Sequence, residues 1–311
     1  MNTPPPKNHH YVPQHFLKAW ATPSTGEKLY RYRVIEHTGQ LECRQAAIRK
    51  SASEDHLYEL HFPDGSFEIE SLVGTPILDE MGHKILARIR ETPFQGLSQE
   101  QKKELAIYLA CLEARHPETL KKMDISGDLE QMRQKMKVEV EPDVSRHSID
   151  EVFDYVGASP STGVMAFALF VRNERSGALA RPFSDGLLEA EAIEYQFPED
   201  CLLTSDFPCF RLGEYLGDAL LYVVAISPRK SLIYSRKTNA TALRQLPQQV
   251  RAELINFYSL GFAQKAFSSN DKHSAFVKSH LGWARRHTTT EARQRYLQHF
   301  LEDLFARHSI K

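Results

Sequence analysis

A chain of 311 residues with 39 basic and 40 acidic side chains carries a formal charge of −1, too small a positive share to coat nucleic acid over a wide face. Hydrophobic residues at 41% and charged residues at 25% make an ordinary globular composition, long enough to bury a substantial core. No apolar run approaches the roughly 18 residues of a membrane span, and Cys43, Cys111, Cys201 and Cys209 show neither CxxC nor zinc-finger spacing, so they read as isolated reduced thiols.

The first residues lack the apolar run of a signal peptide. A cytoplasmic protein of bacterial type with no membrane partner is the expectation, as a single domain over 1–311. Within it, the pattern divides into an N-terminal segment 1–60, a helical part 69–160, a small sheet 190–236 and C-terminal helices 240–311. After a proline-rich lead-in, residues 8–20 crowd His9, His10 and His15 together with Tyr11, Phe16 and Trp20. Pro13 suits the first turn of a short helix, on which Phe16, Leu17 and Trp20 form one apolar stripe. That stripe should be buried, which makes this end part of the core. Residues 29–35 read as a strand, Thr38-Gly39 as a turn into a second strand over 40–44, and 56–60 as a further short strand.

From 69 to 90 the apolar spacing is helical, and Ser98 with Gln101 is a capping-box signature that opens another helix through Leu112 and on towards Met123. Residues 129–138 read as a charged, solvent-facing helix, or as part of a mobile insertion reaching about residue 147, and 165–171 as helix or strand. Short apolar runs at 193–197, 201–204, 209–212, 220–226 and 231–235, parted by turn residues, form a small antiparallel sheet. Helices follow at 247–267 and 289–307. The fold expected is α+β, mainly helical with a small antiparallel sheet.

Four segments together resemble a bacterial family called domain of unknown function 4238. The run from His10 through Tyr11-Val12-Pro13 to Leu17 looks like its N-terminal signature, with Trp20 where phenylalanine is usual. Glu113-Ala114-Arg115-His116-Pro117 is similar to a helix segment of the family, with Glu113 where it has glutamine. Thr204-Ser205-Asp206-Phe207-Pro208 matches its TSDxP motif, and Ile226-Ser227-Pro228 a strand end, with Ala225 replacing a proline. Asn256 matches a family asparagine. The resemblance spans nearly the whole chain and implies a fold and a layout, but no reaction, since the family's name assigns none.

Chemistry has to come from the side chains. The residue before a proline is biased to extended backbone, which sends His10 and Val12 to one side and His9 and Tyr11 to the other; the family pattern selects His10. It is a ligand or an acid/base group, or else a histidine that pins the terminus by hydrogen bonding backbone. Asp206 at a strand end is placed for metal ligation or general base work, yet Thr204, Ser205 and Asp206 can equally cap a turn. Glu113 and His116 share a helix face, as do Asp79 and His83, but a lone pair of this kind is a weak metal signal. Pro117 kinks the helix near Arg115, which then clamps an anion or pairs with a carboxylate. Ser227 lacks a GxSxG elbow. No GxGxxG, Walker loop, HExxH, kinase set or EF-hand is present.

The leading expectation is therefore a cleft between the N-terminal segment and the sheet. There a divalent metal assists phosphodiester hydrolysis, with His10 and Asp206 as ligands or acid/base and Arg115 neutralising the substrate. The alternative is a non-enzymatic interaction module in which the same residues lock the N-terminal segment onto the sheet. A third reading is a nucleic-acid face built from Arg251, Lys265, Lys272, Lys278, Arg285 and Arg286, possible in sequence but not supported by the net charge.

Overall fold

The computed structural model describes residues 8–55, 57, 79–120, 170–171, 174–175, 177 and 181–308. The strand expected at 56–60, the helix before 79, the charged stretch 129–147 and most of 165–171 lie outside the described residues. The fold is α+β, with one correction. Among the described residues the strands form three antiparallel sheets, where the sequence suggested one. Local alternation marks strands but not their partners, and here strands far apart in the chain pair. The chain groups into two compact units, one from 1–13, 52–88 and 98–188, the other from 14–51, 89–97 and 189–311.

In the first unit, β1 (Asn8–His10) pairs antiparallel with β4 (Ser53–Asp55). The chain then turns inward, with the N–H groups of Tyr11 and Val12 both donating to the carbonyl of Ala52. The helix Gln99–Ala114 opens on the expected capping box: Ser98 Oγ accepts from Gln101 N at 3.2 Å and Gln101 Oε1 accepts from Ser98 N at 3.0 Å. Every residue from Leu105 to Leu112 is buried, so this part of the helix is covered on all sides. It stops at Ala114, and a separate turn Pro117–Leu120 begins on the proline. Having no N–H to leave unsatisfied, Pro117 starts a helix more readily than it continues one. The expected kink near Arg115 is thus a full break. Further on, buried Glu174 accepts from the N–H groups of Phe183 and Ser184 at 2.6 and 2.8 Å and caps the helix Phe183–Glu189.

The second unit holds the other two sheets. One has the order β3-β2-β10-β6, from β2 (Lys28–Val34), β3 (Leu41–Ala47), β6 (Thr204–Ser205) and β10 (Lys265–Ser268). The other has the order β5-β9-β8-β7, from β5 (Glu191–Gln196), β7 (Cys209–Leu212), β8 (Leu221–Ser227) and β9 (Lys230–Ser235). The short helix Gln14–Leu17 and the turn Lys18–Trp20 bury Phe16, Leu17 and Trp20 completely, as their spacing suggested. Arg90 clamps this helix to β8, donating to the carbonyls of His15, Phe16 and Ile226. Buried Lys230 does the same for the 89–97 segment, through the carbonyls of Ile89 and Thr92 and an ion pair with Glu194 at 3.5 Å.

The helix expected over 247–267 is Gln248–Ser259, and its last residues are instead strand β10. Just past its end, Gly261 packs against Phe210, where a Cβ would lie 2.3 Å from the ring, so no larger residue fits. The C-terminal helix Thr290–Arg307 is capped by Thr289 and docks through Tyr296 and Phe300, which stack on Phe257 beside Trp283. Among the described residues no helix is long and apolar enough to cross a membrane.

Candidate functional site

His10 and Arg115 both lie in the first unit and meet there. The Arg115 guanidinium, buried at the end of the helix Gln99–Ala114, donates to the backbone carbonyl of His10. The strand does send the two neighbouring histidines to opposite sides, but the buried one is His9, while His10 is half-buried. His116 is buried against Tyr11, edge to face with ring centroids 5.3 Å apart, and its Nδ1 accepts from the Glu118 N–H. In the other weak pair, Asp79 and His83 are exposed. The described Arg115 bond thus ties the helix end to the backbone of β1, and the described His116 bond ties its ring to the backbone two residues on.

Asp206 lies in the second unit, in a stretch where backbone groups are taken up one after another. The N–H groups of Cys201 and Leu202 both donate to the carbonyl of Pro228. The carbonyl of Leu202 accepts from Trp20 Nε1 at 3.3 Å. Asn256 takes the next two groups: its Oδ1 accepts from Leu203 N at 2.7 Å and its Nδ2 donates to the Cys201 carbonyl at 2.8 Å. Ser205 Oγ folds back on Phe207, donating to its carbonyl and accepting from its N–H. Asp206 completes the series, its N–H donating to the Lys265 carbonyl at 3.0 Å and its Oδ1 accepting from Gln264 N at 2.9 Å. Burial pushes its carboxyl up to about 6, and the Gln264–Lys265 backbone donors and the Lys265 charge keep it from rising further.

The strand that Asp206 holds in place leads to a different kind of surface. On β2, Arg31 and Arg33 alternate with Tyr30 and Tyr32, so the two arginines share one face. Tyr32 faces the core with Leu203, Leu260 and Ala266. The register sets Arg31 opposite Arg44, and Arg33 between Glu42 on one side and Lys265 on the other. One carboxylate thus serves three arginines, at 2.6 Å from Arg33, 3.4 Å from Arg44 and 3.8 Å from Arg31. The Arg33 hydrogen bond holds Glu42 below the usual carboxylate range. Burial, followed by the Arg44 and Arg33 charges, pushes the Arg31 guanidinium down from its ordinary value. Arg33 and Lys265 are like charges directly opposed across a strand pair, an arrangement that costs stability.

A cavity of about 700 Å³ opens on this pair. Its cations are Arg33, Lys265, Arg285 and Arg286, its one carboxylate is Glu36, and its apolar wall comes from Val34, Ile35, Ala263 and Leu281. Arg286 is committed to the carbonyls of Leu281 and Ser279. Arg285 is exposed and forms no ion pair with any described residue. Gly282, at φ +70°, makes the turn that presents both, a conformation that disfavours any side chain. Of the six cations grouped in sequence as a nucleic-acid face, three line this cavity, while Arg251 is spent on the carbonyls of Leu246 and Arg244. Sequence reading missed Arg31, Arg33 and Arg44. The signal was available in Arg-Tyr-Arg on a strand, which puts two cations on one face.

Among the described residues no group of three or more His, Cys, Asp or Glu is arranged to hold a metal ion. A family model described as "Protein of unknown function (DUF4238)" matches residues 8–273. No curated protein and no solved structure matches the chain.

Proposed function

The chain belongs to the DUF4238 family, and from that premise we propose that it is a non-enzymatic binding protein that takes an anionic ligand in the cavity of the second unit. The observation that carries this reading is the opposed pair Arg33 and Lys265, open to that cavity. Arg33 is paired with Glu42 and Lys265 lies near the Asp206 carboxyl, yet the two cations stand directly opposite each other, which costs stability and favours an anion bound to both. The motif residues support the same division of labour, since the polar groups described for Asn256, Ser205 and Asp206 bind backbone. Chromatography on phosphocellulose tests the reading. The protein should be retained at low salt and released as salt rises, and a variant combining Arg33→Gln with Lys265→Gln should flow through. Equal retention of the two proteins would refute it.

One observation favours a second reading, the metal-assisted hydrolysis of phosphodiesters by His10, Asp206 and Arg115. An Asp206 carboxyl pushed up to about 6 lies in the range where a general acid or base works near neutral pH. A nuclease and phosphodiesterase panel with magnesium, manganese or zinc, run on wild type and Asp206→Asn, tests it. Activity lost in the variant would support hydrolysis. An inactive wild type in every condition would leave the binding reading alone.

A further inference from the structure

We infer that the ligand of this cavity is a compact phosphate monoester carried on a flat apolar body, bound one molecule at a time. The inference rests on the anion-binding reading above and adds the chemical class of the anion.

The first argument is charge. Side chains directly opposed on an antiparallel pair have Cβ atoms about 4.5–5.5 Å apart, so one small anion reaches both Arg33 and Lys265. A phosphate monoester carries about −1.5 to −2 at neutral pH and three acceptor oxygens, which suits two adjacent cations better than a single carboxylate does. Arg33 has the geometry for it. Its Nε is occupied by Glu42, which leaves the two terminal nitrogens for a forked contact with phosphate oxygens, while Lys265 adds a point charge. Arg285 stands on another wall of the same cavity, available to a second edge of the anion.

The second argument is size and lining. A volume of about 700 Å³ falls within the roughly 300–1,000 Å³ typical of small-molecule clefts. Beside the cations, Glu36, His37 and Gln264 add polar groups to the lining, and Val34, Ile35, Ala263 and Leu281 supply an apolar part that suits a planar group carried on the phosphate. The third argument concerns polymers. A nucleic-acid track needs cations in series, yet Arg251 and Arg286 are tied to backbone carbonyls and the whole chain is at −1.

Isothermal titration at low salt tests the inference with adenosine monophosphate and phenyl phosphate as probes, adenosine and inorganic phosphate as their halves, and an oligo(dT) strand as the polymer. At least one of the two monoesters should bind, more tightly than either half. Lys265→Gln and Arg285→Gln should each weaken it about tenfold, or roughly 1.4 kcal/mol. Lys272→Gln, exposed and outside the cavity lining, should bind as wild type does. Melting curves of the variants separate lost binding from lost folding, and Arg285 is exposed enough to be replaced without disturbing the core. Two results overturn the inference: neither monoester binds, whether or not oligo(dT) does, or both bind Lys265→Gln as tightly as they bind wild type. Retention on phosphocellulose without monoester binding would sink the ligand class and spare the anion reading. Absence of both would sink the two together.

Discussion

The Cys201–Asp206 stretch and the Arg33–Lys265 pair meet on one sheet and handle polar groups in opposite ways. In the first, Trp20, Pro228, Asn256 and Asp206 supply partners to successive backbone groups, and the result is a fixed strand lead-in. In the second, like charges face one another, and one carboxylate, Glu42, is divided among three arginines. Satisfied networks of the first kind rigidify a core. Like charges opposed in the second way are a cost that a bound anion offsets. On the proposed reading, the residues that look most like a motif serve as scaffold, and the ligand site falls to cations that no motif marks.

The scaffold side of this contrast predicts the largest effects. Deleting residues 1–20 removes Phe16, Leu17 and Trp20, all fully buried, each contributing about 1.5–3 kcal/mol, and takes away two of the carbonyls that hold Arg90. The truncated protein should lack a cooperative melt and near-ultraviolet dichroism; a melting temperature equal to wild type would contradict the assignment. Asn256→Ala comes next. It strands the Leu203 N–H and the Cys201 carbonyl and should cost about 2–4 kcal/mol in urea titration. A loss under about 0.5 kcal/mol would show that the stretch is less tightly held than its bonds suggest.

Asp206→Asn should act in the opposite direction. The folded-state value near 6 against an ordinary 3.8 means that the folded protein binds this proton more tightly than the unfolded chain does. The associated stability is fully present below about pH 4 and is lost as pH rises through about 6. Asn keeps the acceptor for Gln264 N and has no charge to bury, so at neutral pH the variant should be about 1–3 kcal/mol more stable. Its stability should no longer fall between those two pH values. His280 has the contrary slope. Burial among Phe257, Phe276 and Phe300 lowers it from 6.5 to about 4, so its contribution is present above 6.5 and is lost as pH falls towards 4. Stability curves of wild type and variant from pH 4 to 7 should therefore diverge on the neutral side. Parallel curves would place the Asp206 proton elsewhere.

How far the sequence could be read depends on whether the signal is local. The Ser98–Gln101 capping box, the strand Cys209–Leu212 and the buried stripe of Phe16, Leu17 and Trp20 all follow from spacing within a few residues. Strand β10 was hidden because Ala263, Ala266 and Phe267 continue a helical apolar spacing, while its pairing with β2 and β6 depends on residues far along the chain. The division into three sheets depends on β2 pairing with β10, which local periodicity does not encode. The site splits in the same way. Asp206, His10 and Arg115 stood out as motif letters, and the bonds of Asp206 and Arg115 bind backbone. Lys265 and Arg285 stood out only as charge. Arg33 went unmarked because its significance lies in the residue across the strand, not in its neighbours along the chain.

The smallest effect tests the central claim most directly: the stability and the ligand affinity of Lys265→Gln, measured on the same protein. If the opposed cations are kept for an anion, removing one relieves a like-charge contact of about 0.2–1 kcal/mol. The ligand-free variant should then melt about 1–3 °C higher than wild type, while its affinity for the monoester falls about tenfold. A variant that melts lower and binds adenosine monophosphate and phenyl phosphate as wild type does would show that Lys265 is scaffold too, and the contrast drawn between the two regions would be wrong.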